Sequence, residues 1–383
     1  MNLFKLATAL AVVTATVLTG GVAHATDTRQ LYDRTRLMHD LDAIHATGVS
    51  GVLAEVDIGP RRLRGTSGVA DLETGGPVNV DGYFRMGSNT KTFVSVVLLQ
   101  LVGEGRLSLD DTVERWLPGV VAGNGNDGAA ITVRQLLQHT SGLHDYTNDL
   151  LAQIGSVADY QRFRFASYTP QQLVAMALAH QPDFAPGQGW NYSNTNYVLT
   201  GMIIKRVTGR DWATEVTDRI IRPLGLRHTF APGGRTTLPE PHASAYLYLD
   251  RDTPIETADE SVTWADAAGA LVTTASDLSR FWAAIGRGEL LRPAQRDQLR
   301  TTVLATTFQA DRPGLRYGLG LQWAPLTCGG GYWGHDGDVP GFSTRSAVSE
   351  DGRTTVVISI STSADTPVDQ AAWGMIDHVL CSR

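Results

Sequence analysis

Strand-forming runs stand at both ends of this 383-residue chain, and helix-forming runs fill its middle. Near the start, GVLAEVDIG from Gly51 and RRLRGTSGVADL from Arg61 read as two strands joined by a turn at Gly59-Pro60. Near the end, GLGLQW, STRSAVSEDG and RTTVVISIST alternate or run apolar, with Asp351-Gly352 as a hairpin turn. Thr28 to Ala46 has helical periodicity through Leu31, Leu37, Leu41 and Ile44, and AAWGMIDHVL closes the chain with a helix. Between the ends, KTFVSVVLLQLVGEG is apolar nearly all round, the mark of a buried helix. ITVRQLLQH, PQQLVAMALAH and NYVLTGMIIKRVTG follow, the last stopped by Gly209; ASDLSRFWAAIGRG and PAQRDQLRTTV are helical again. Gly119 to Asp127 and Pro182 to Gly189 read as loops. The simplest packing is an α/β fold of the α+β type. One antiparallel sheet is built from both termini and flanked by helices, and an all-helical domain is inserted. Residues 26–82 and 262–383 form the α/β domain in this reading, and 83–261 the all-α domain. Such a length exceeds the roughly 250–300 residues at which single cores stop growing.

Residues 1–25 read as an export signal: Lys5, an apolar core from Leu6 to Leu18, and a small-x-small site at Ala23-His24-Ala25. That apolar core is shorter than the roughly 20 residues a membrane span needs, so no stable membrane insertion is expected. The expected location is extracellular. Cys328 and Cys381 are the only cysteines; in an exported protein such a pair forms a disulfide. The formal charge of −7, without a Lys/Arg cluster, is a poor match to nucleic acid. There is no HExxH, and the Cys and His residues lack zinc-finger spacing, so neither metal nor cofactor is expected.

Lysine is nearly absent. Of 32 Lys+Arg residues only Lys5, Lys91 and Lys205 are lysines. Lys91 lies three residues after Ser88 in FRMGSNTKTF, where a loop enters the buried helix. Residues three apart share a helix face, and a serine at a helix N-terminus sits where developing negative charge is favoured. Lys91 is flanked by Phe93, Val94 and Val97. Burial there lowers an ammonium pKa and makes the amine a base near neutrality, which arginine cannot become. Four-residue motifs arise by chance, so the neighbours decide the matter. WNYSNTNY supplies Tyr192 and Asn194 just before a helix, and GHDGDVPGF supplies His335 and Gly337 directly before a strand. A second Tyr-x-Asn occurs at Tyr146-Thr147-Asn148.

In order and spacing, Ser-x-x-Lys, Tyr-x-Asn and a final His-x-Gly resemble the penicillin-recognising serine hydrolases. Within them the chain looks like the branch holding class C β-lactamases and D-alanyl-D-alanine carboxypeptidases. LLQHTSGL (from Leu136), PGQGWNYSNTNYVLTG (from Pro186), VTWADAAGALVTTASDL (from Val262) and YGLGLQW (before Cys328) agree with that branch as well. The resemblance spans essentially the whole chain after the signal and implies a β-lactamase/transpeptidase-like fold. It implies that Ser88 attacks a carbonyl and forms an acyl-enzyme, with Lys91 and Tyr192 sharing the proton work; which of them is the base stays open. Tyr192 is preferred to Tyr146 because only WNYSNTNY lies in the matching context. Asn194 would orient the substrate amide and Lys91, and His335 stands where many relatives have Lys. The backbone N–H groups of Ser88 and Asp338 would form the oxyanion hole. Trp264 is a cleft wall or a core residue. The implied partners are peptides with D-residues as substrates and β-lactams as covalent inhibitors.

One departure stands out. Where the secreted carboxypeptidases carry an Arg and two Thr for the substrate's carboxylate, this chain has Gln322, Asp336 and Asp338. These acids either repel an anionic end, or pair with an Arg such as Arg345 and select nothing. The leading expectation is a D-alanyl-D-alanine carboxypeptidase-like hydrolase. A D-aminopeptidase, D-stereospecific endopeptidase or esterase of the same fold, a class C-like β-lactamase, and a non-catalytic β-lactam or peptidoglycan sensor are the alternatives.

Overall fold

The computed structural model describes residues 31–249, 253–363 and 365–382; the export signal lies outside them. Helix α1 (Arg34–His45) starts at Asp33, whose carboxylate accepts from the Arg36 amide. An Ncap carboxylate of this kind satisfies a donor that the helix itself leaves unpaired. Strands β1 (Gly51–Ile58) and β2 (Arg61–Gly68) form the N-terminal hairpin. The C-terminal half contributes β3 (Val303–Leu304), β4 (Arg316–Tyr317), β5 (Gln322–Pro325), β6 (Gly331–Val339), β7 (Phe342–Ser349) and β8 (Thr354–Ile360). They make one antiparallel sheet in the order β2-β1-β8-β7-β6-β5-β4-β3. The two ends of the chain meet where β1 pairs with β8, from Val52 opposite Ile360 to Ile58 opposite Thr354.

Strand periodicity sorts the sheet's side chains into two cores. Val52, Ala54 and Val56 of β1, with Val356 and Ile358 of β8, pack under α1 and the C-terminal helix α5 (Thr366–Cys381). Leu53 and Val357 face the other way, into the larger core with α2 (Thr90–Gly103), α3 (Thr195–Thr208) and α4 (Ala275–Arg287). Helix α2 is buried along 11 of its 14 residues, as its lack of a polar face requires. Helix α3 ends at Gly209, which adopts a left-handed conformation at φ 77°.

Three local readings change. GLGLQW does not pair as a whole: pairing begins at Gln322, because Gly320 turns at φ 89° against Ser95. The stretch from Gly119 to Asp127 holds a two-residue hairpin, Ala122–Gly123 against Asn126–Asp127. GHDGDV does not lie directly before a strand but forms most of β6 itself, paired to β7 from Tyr332 to Val339. Cys328 and Cys381 are joined by a disulfide that ties the end of α5 to the β5–β6 connection.

Candidate active site

The site forms where the entrance to α2 crosses β6. Gly87 takes φ 52°, a conformation that glycine adopts without cost. A Cβ on Gly87 would lie 2.6 Å from the Asp338 amide nitrogen. Reciprocally, a Cβ on Gly337 would lie 2.1 Å from the Met86 carbonyl oxygen and 2.9 Å from the Ser88 amide nitrogen. Two glycines therefore let the backbones touch, and the touch brings the Ser88 and Asp338 amides together. Buried Asn89 fastens the crossing: its Nδ2 donates to the Met86 carbonyl, and its Oδ1 accepts from Ser346 Oγ on β7.

Lys91 lies one turn behind Ser88 and is fully buried. Its Nζ donates to Ser88 Oγ (2.9 Å), Asn194 Oδ1 (2.7 Å) and the Ala268 carbonyl (2.9 Å). Burial pulls its pKa down to about 7, and the nearby Asp145 carboxylate pulls the other way. Tyr192 is half-buried beside Lys91. Burial raises its hydroxyl well above the usual phenol range, and a hydrogen bond with Ser88 only partly offsets this. Its ring lies 4.7 Å from Lys91 Nζ. Asn194 spends its amide donors on Asp145 Oδ2 (3.0 Å) and Thr147 Oγ1 (3.2 Å), so it holds Lys91 through its oxygen. Tyr146 is elsewhere: its hydroxyl donates to the Trp264 carbonyl.

His335 differs from the proton-active group that its position suggests. Its Nδ1 sits on the Asp336 carbonyl and so carries the proton, which leaves Nε2 to accept from Tyr317 OH at 2.8 Å. Burial, with Lys91 nearby, lowers its pKa to about 3, so the ring is neutral and both nitrogens are occupied. Trp264 is a core residue packed against Phe163 and does not line the cleft.

Ser88, Tyr192, Asn194 and His335 open into a cleft of about 360 Å³. Its lining also carries Asp311, Asp336, Asp338 and Asp369 with Arg312 and Arg345. Asp336 Oδ2 accepts from Arg312 Nη1 at 2.6 Å. Arg312 also donates to Gln322 Oε1 and Tyr332 OH, and stacks on Trp373. Asp338 Oδ1 and Asp369 Oδ1 share Arg345. Burial raises the Asp369 carboxyl to about 6 despite that guanidinium. One His/Asp group that could hold a metal, His144 with Asp149 and His180, is found among the described residues, outside the cleft lining.

Residues 17–380 match the Beta-lactamase family. The chain belongs to that family. Penicillin-binding protein 4* of Bacillus subtilis is 28% identical over 328 residues, 82% of this chain and 68% of that protein. Protein flp of Staphylococcus aureus is 28% identical over 255 residues, 67% of this chain but 48% of its own length. Among solved structures, a D-stereospecific amidohydrolase from Streptomyces sp. superposes with a TM-score of 0.82 at 42% identity, covering 89% of this chain and 99% of that one. D-amino acid amidase from Ochrobactrum anthropi SV3, complexed with L-phenylalanine amide, gives 0.77 at 27% identity over 90% and 96%. The sheet flanked by helices is the β-lactamase/transpeptidase arrangement, and the chain is a serine hydrolase of that fold.

In this beta-lactamase family member, Arg312, Tyr317, Asp145 and Asp369 are the site residues that sequence reasoning missed. Arg312 lies in TTFQADRPG, which has no periodicity to mark it. Tyr317 belongs to the YGLGLQW run, yet nothing in that run says it faces His335. Asp145 follows the LLQHTSGLH segment at the start of a short helix, where a carboxylate is an ordinary cap.

Proposed function

We propose that the protein is a secreted D-stereospecific serine amidohydrolase whose preferred substrates present a free amine near the cleaved bond. The observation that carries this reading is the charge of the cleft wall. Four carboxylates and two guanidiniums line the cleft, and three of the five N–H donors of Arg312 are engaged by Gln322, Asp336 and Tyr332. A substrate carboxylate would meet excess negative charge, whereas an ammonium would be attracted. The D-stereospecific amidohydrolase and the D-amino acid amidase among the structural neighbours support this over the carboxypeptidase expectation. The disulfide supports an oxidising compartment.

Lys91, with its lowered pKa, is the group suited to take the Ser88 proton, since Tyr192 is held protonated. The Ser88 oxygen then adds to the amide carbon, and the oxyanion is received by the Ser88 and Asp338 N–H groups. Tyr192 passes its proton to the leaving nitrogen while Lys91 returns the serine proton to Tyr192. Loss of the amine leaves an ester on Ser88, which water hydrolyses as Lys91 takes the water's proton and Ser88 regains its own. β-Lactams would acylate Ser88 by the same attack.

The test is a mass-spectrometric product analysis with two D-Ala-D-Ala peptides in one tube. One has a blocked N-terminus and a free carboxylate; the other has a free amine and an amidated C-terminus. Cleavage of the second alone, abolished in Ser88→Ala, is expected. Loss of terminal D-Ala from the first would restore the carboxypeptidase reading, and activity surviving in Ser88→Ala would refute the acyl-enzyme.

A further inference from the structure

We propose that His144, Asp149 and His180 form a zinc site that clamps the loop beneath the Tyr192-Ser193-Asn194 segment. Asp149 Oδ2 lies 3.5 Å from His144 Nε2 and 3.1 Å from His180 Nε2. All three ligand atoms fall within 4.8 Å of one another. Ligands around a tetrahedral zinc at about 2.05 Å are separated by roughly 3.3 Å, and the two measured edges bracket that spacing. Neither His144 Nε2 nor Asp149 Oδ2 has a hydrogen-bond partner, although both atoms are shielded from solvent. The carboxylate meets both imidazoles at ion-pair distance without a well-formed hydrogen bond to either, and a cation between the three would satisfy them together.

The surroundings fit a metal as well. His144 Nδ1 faces Asp183 Oδ1 at 3.6 Å, beyond hydrogen-bond length but close enough for a small ring rotation to form the carboxylate–histidine bond that orients metal-bound imidazoles. The other Asp183 oxygen accepts from Asn191 Nδ2, so that carboxylate is itself held. His180 is exposed, which leaves an entry path and room for a water as fourth ligand. The two imidazoles stack at 4.1 Å with 26° between their planes, so shared ligation requires one ring, the exposed His180, to rotate. Two imidazoles and one carboxylate suit Zn²⁺ rather than Mg²⁺ or Ca²⁺, which take oxygen-rich sets.

The consequence reaches the nucleophile through the backbone. The His144 carbonyl accepts from Ser193 Oγ at 3.2 Å and Thr195 Oγ1 at 2.6 Å, and the next residue, Asp145, holds Asn194. Fixing His144 thus fixes the segment that presents Asn194 to Lys91. The absence of metal-binding spacing in the sequence did not speak to this site, because its ligands come from two separate segments and no short motif contains them all.

The test uses the whole protein, stripped with a chelator, titrated with zinc chloride and then dialysed. Retention of one zinc per chain by elemental analysis is expected, together with a higher melting temperature on zinc addition. His180→Ala, which removes an exposed ring, should lower the affinity tenfold or more and abolish the melting shift; His144→Ala should do the same. Cobalt in place of zinc should give the visible absorption of a tetrahedral site in the wild type and not in either variant. Failure of the wild type to retain zinc overturns the proposal, and so does equal retention by His180→Ala.

Discussion

Replacing Gly337 by Ala tests whether the glycine crossing builds the oxyanion hole. The added methyl would stand 2.1 Å from the Met86 carbonyl oxygen, 2.9 Å from the Ser88 amide nitrogen and 3.1 Å from Asn89 Nδ2. The two closest atoms are backbone and cannot swing aside. A carbon–oxygen contact settles at about 3.3 Å or more, so β6 must retreat from Gly87 by roughly 1 Å. Oxyanion donors work at about 2.7–3.1 Å, and losing one costs about 2.7–4 kcal/mol, or 10²–10³ in kcat. Overpacking of this kind typically destabilises by about 1–3 kcal/mol, so the chain should stay folded, and a thermal melt checks that it does. The assay is steady-state hydrolysis of the amine-bearing peptide amide, read as kcat and KM separately. The donor acts on charge that develops only in the transition state, so kcat should fall by at least a hundredfold with KM little changed. A folded variant with kcat within threefold of wild type would refute the assignment of the Asp338 amide to the reaction.

Acylation should depend on pH through Lys91. The active form is the free amine, and burial lowers its pKa to about 7, so kcat/KM should rise about tenfold per unit below that value and level off above it. Lys91→Arg should be inactive throughout, and a flat wild-type profile across neutrality would exclude Lys91 as the base. Reduction of the disulfide, or Cys381→Ser, opens a closure of 53 residues. The chain-entropy model puts that at about 4 kcal/mol of stability, and an unchanged denaturation midpoint in the variant would contradict it.

Local chemistry was legible in the sequence, and contacts across the sheet were not. Ser88 and Lys91 share a helix turn, so spacing alone placed them together, and GVLAEVDIG was legible as a strand, though not as one lying between two cores. GHDGDV misled for a physical reason. Glycines and charged residues are depleted in strands, yet β6 needs Gly337 small and keeps its acids at the cleft wall. Asp336 and Asp338 were read as either selective or paired with an arginine, and in the structure each is paired with one. Arg345 takes Asp338 as foreseen, Arg312 takes Asp336 unforeseen, and Asp311 and Asp369 leave the wall in carboxylate excess. His335 was legible as a position but not as a state, because its neutrality depends on Tyr317 and the Asp336 carbonyl.

The seam between β1 and β8 carries a consequence for timing. The nucleophile is synthesised early, but the strand that supplies its second amide comes late, and it is anchored through β7 to β8 and so to β1. Contacts between distant segments form slowly, because loop closure must be paid before they reward it. A nascent chain therefore carries Ser88 without the Asp338 amide, and the proposed acyl transfer would wait until the last strands dock. The fold acts as its own safety catch.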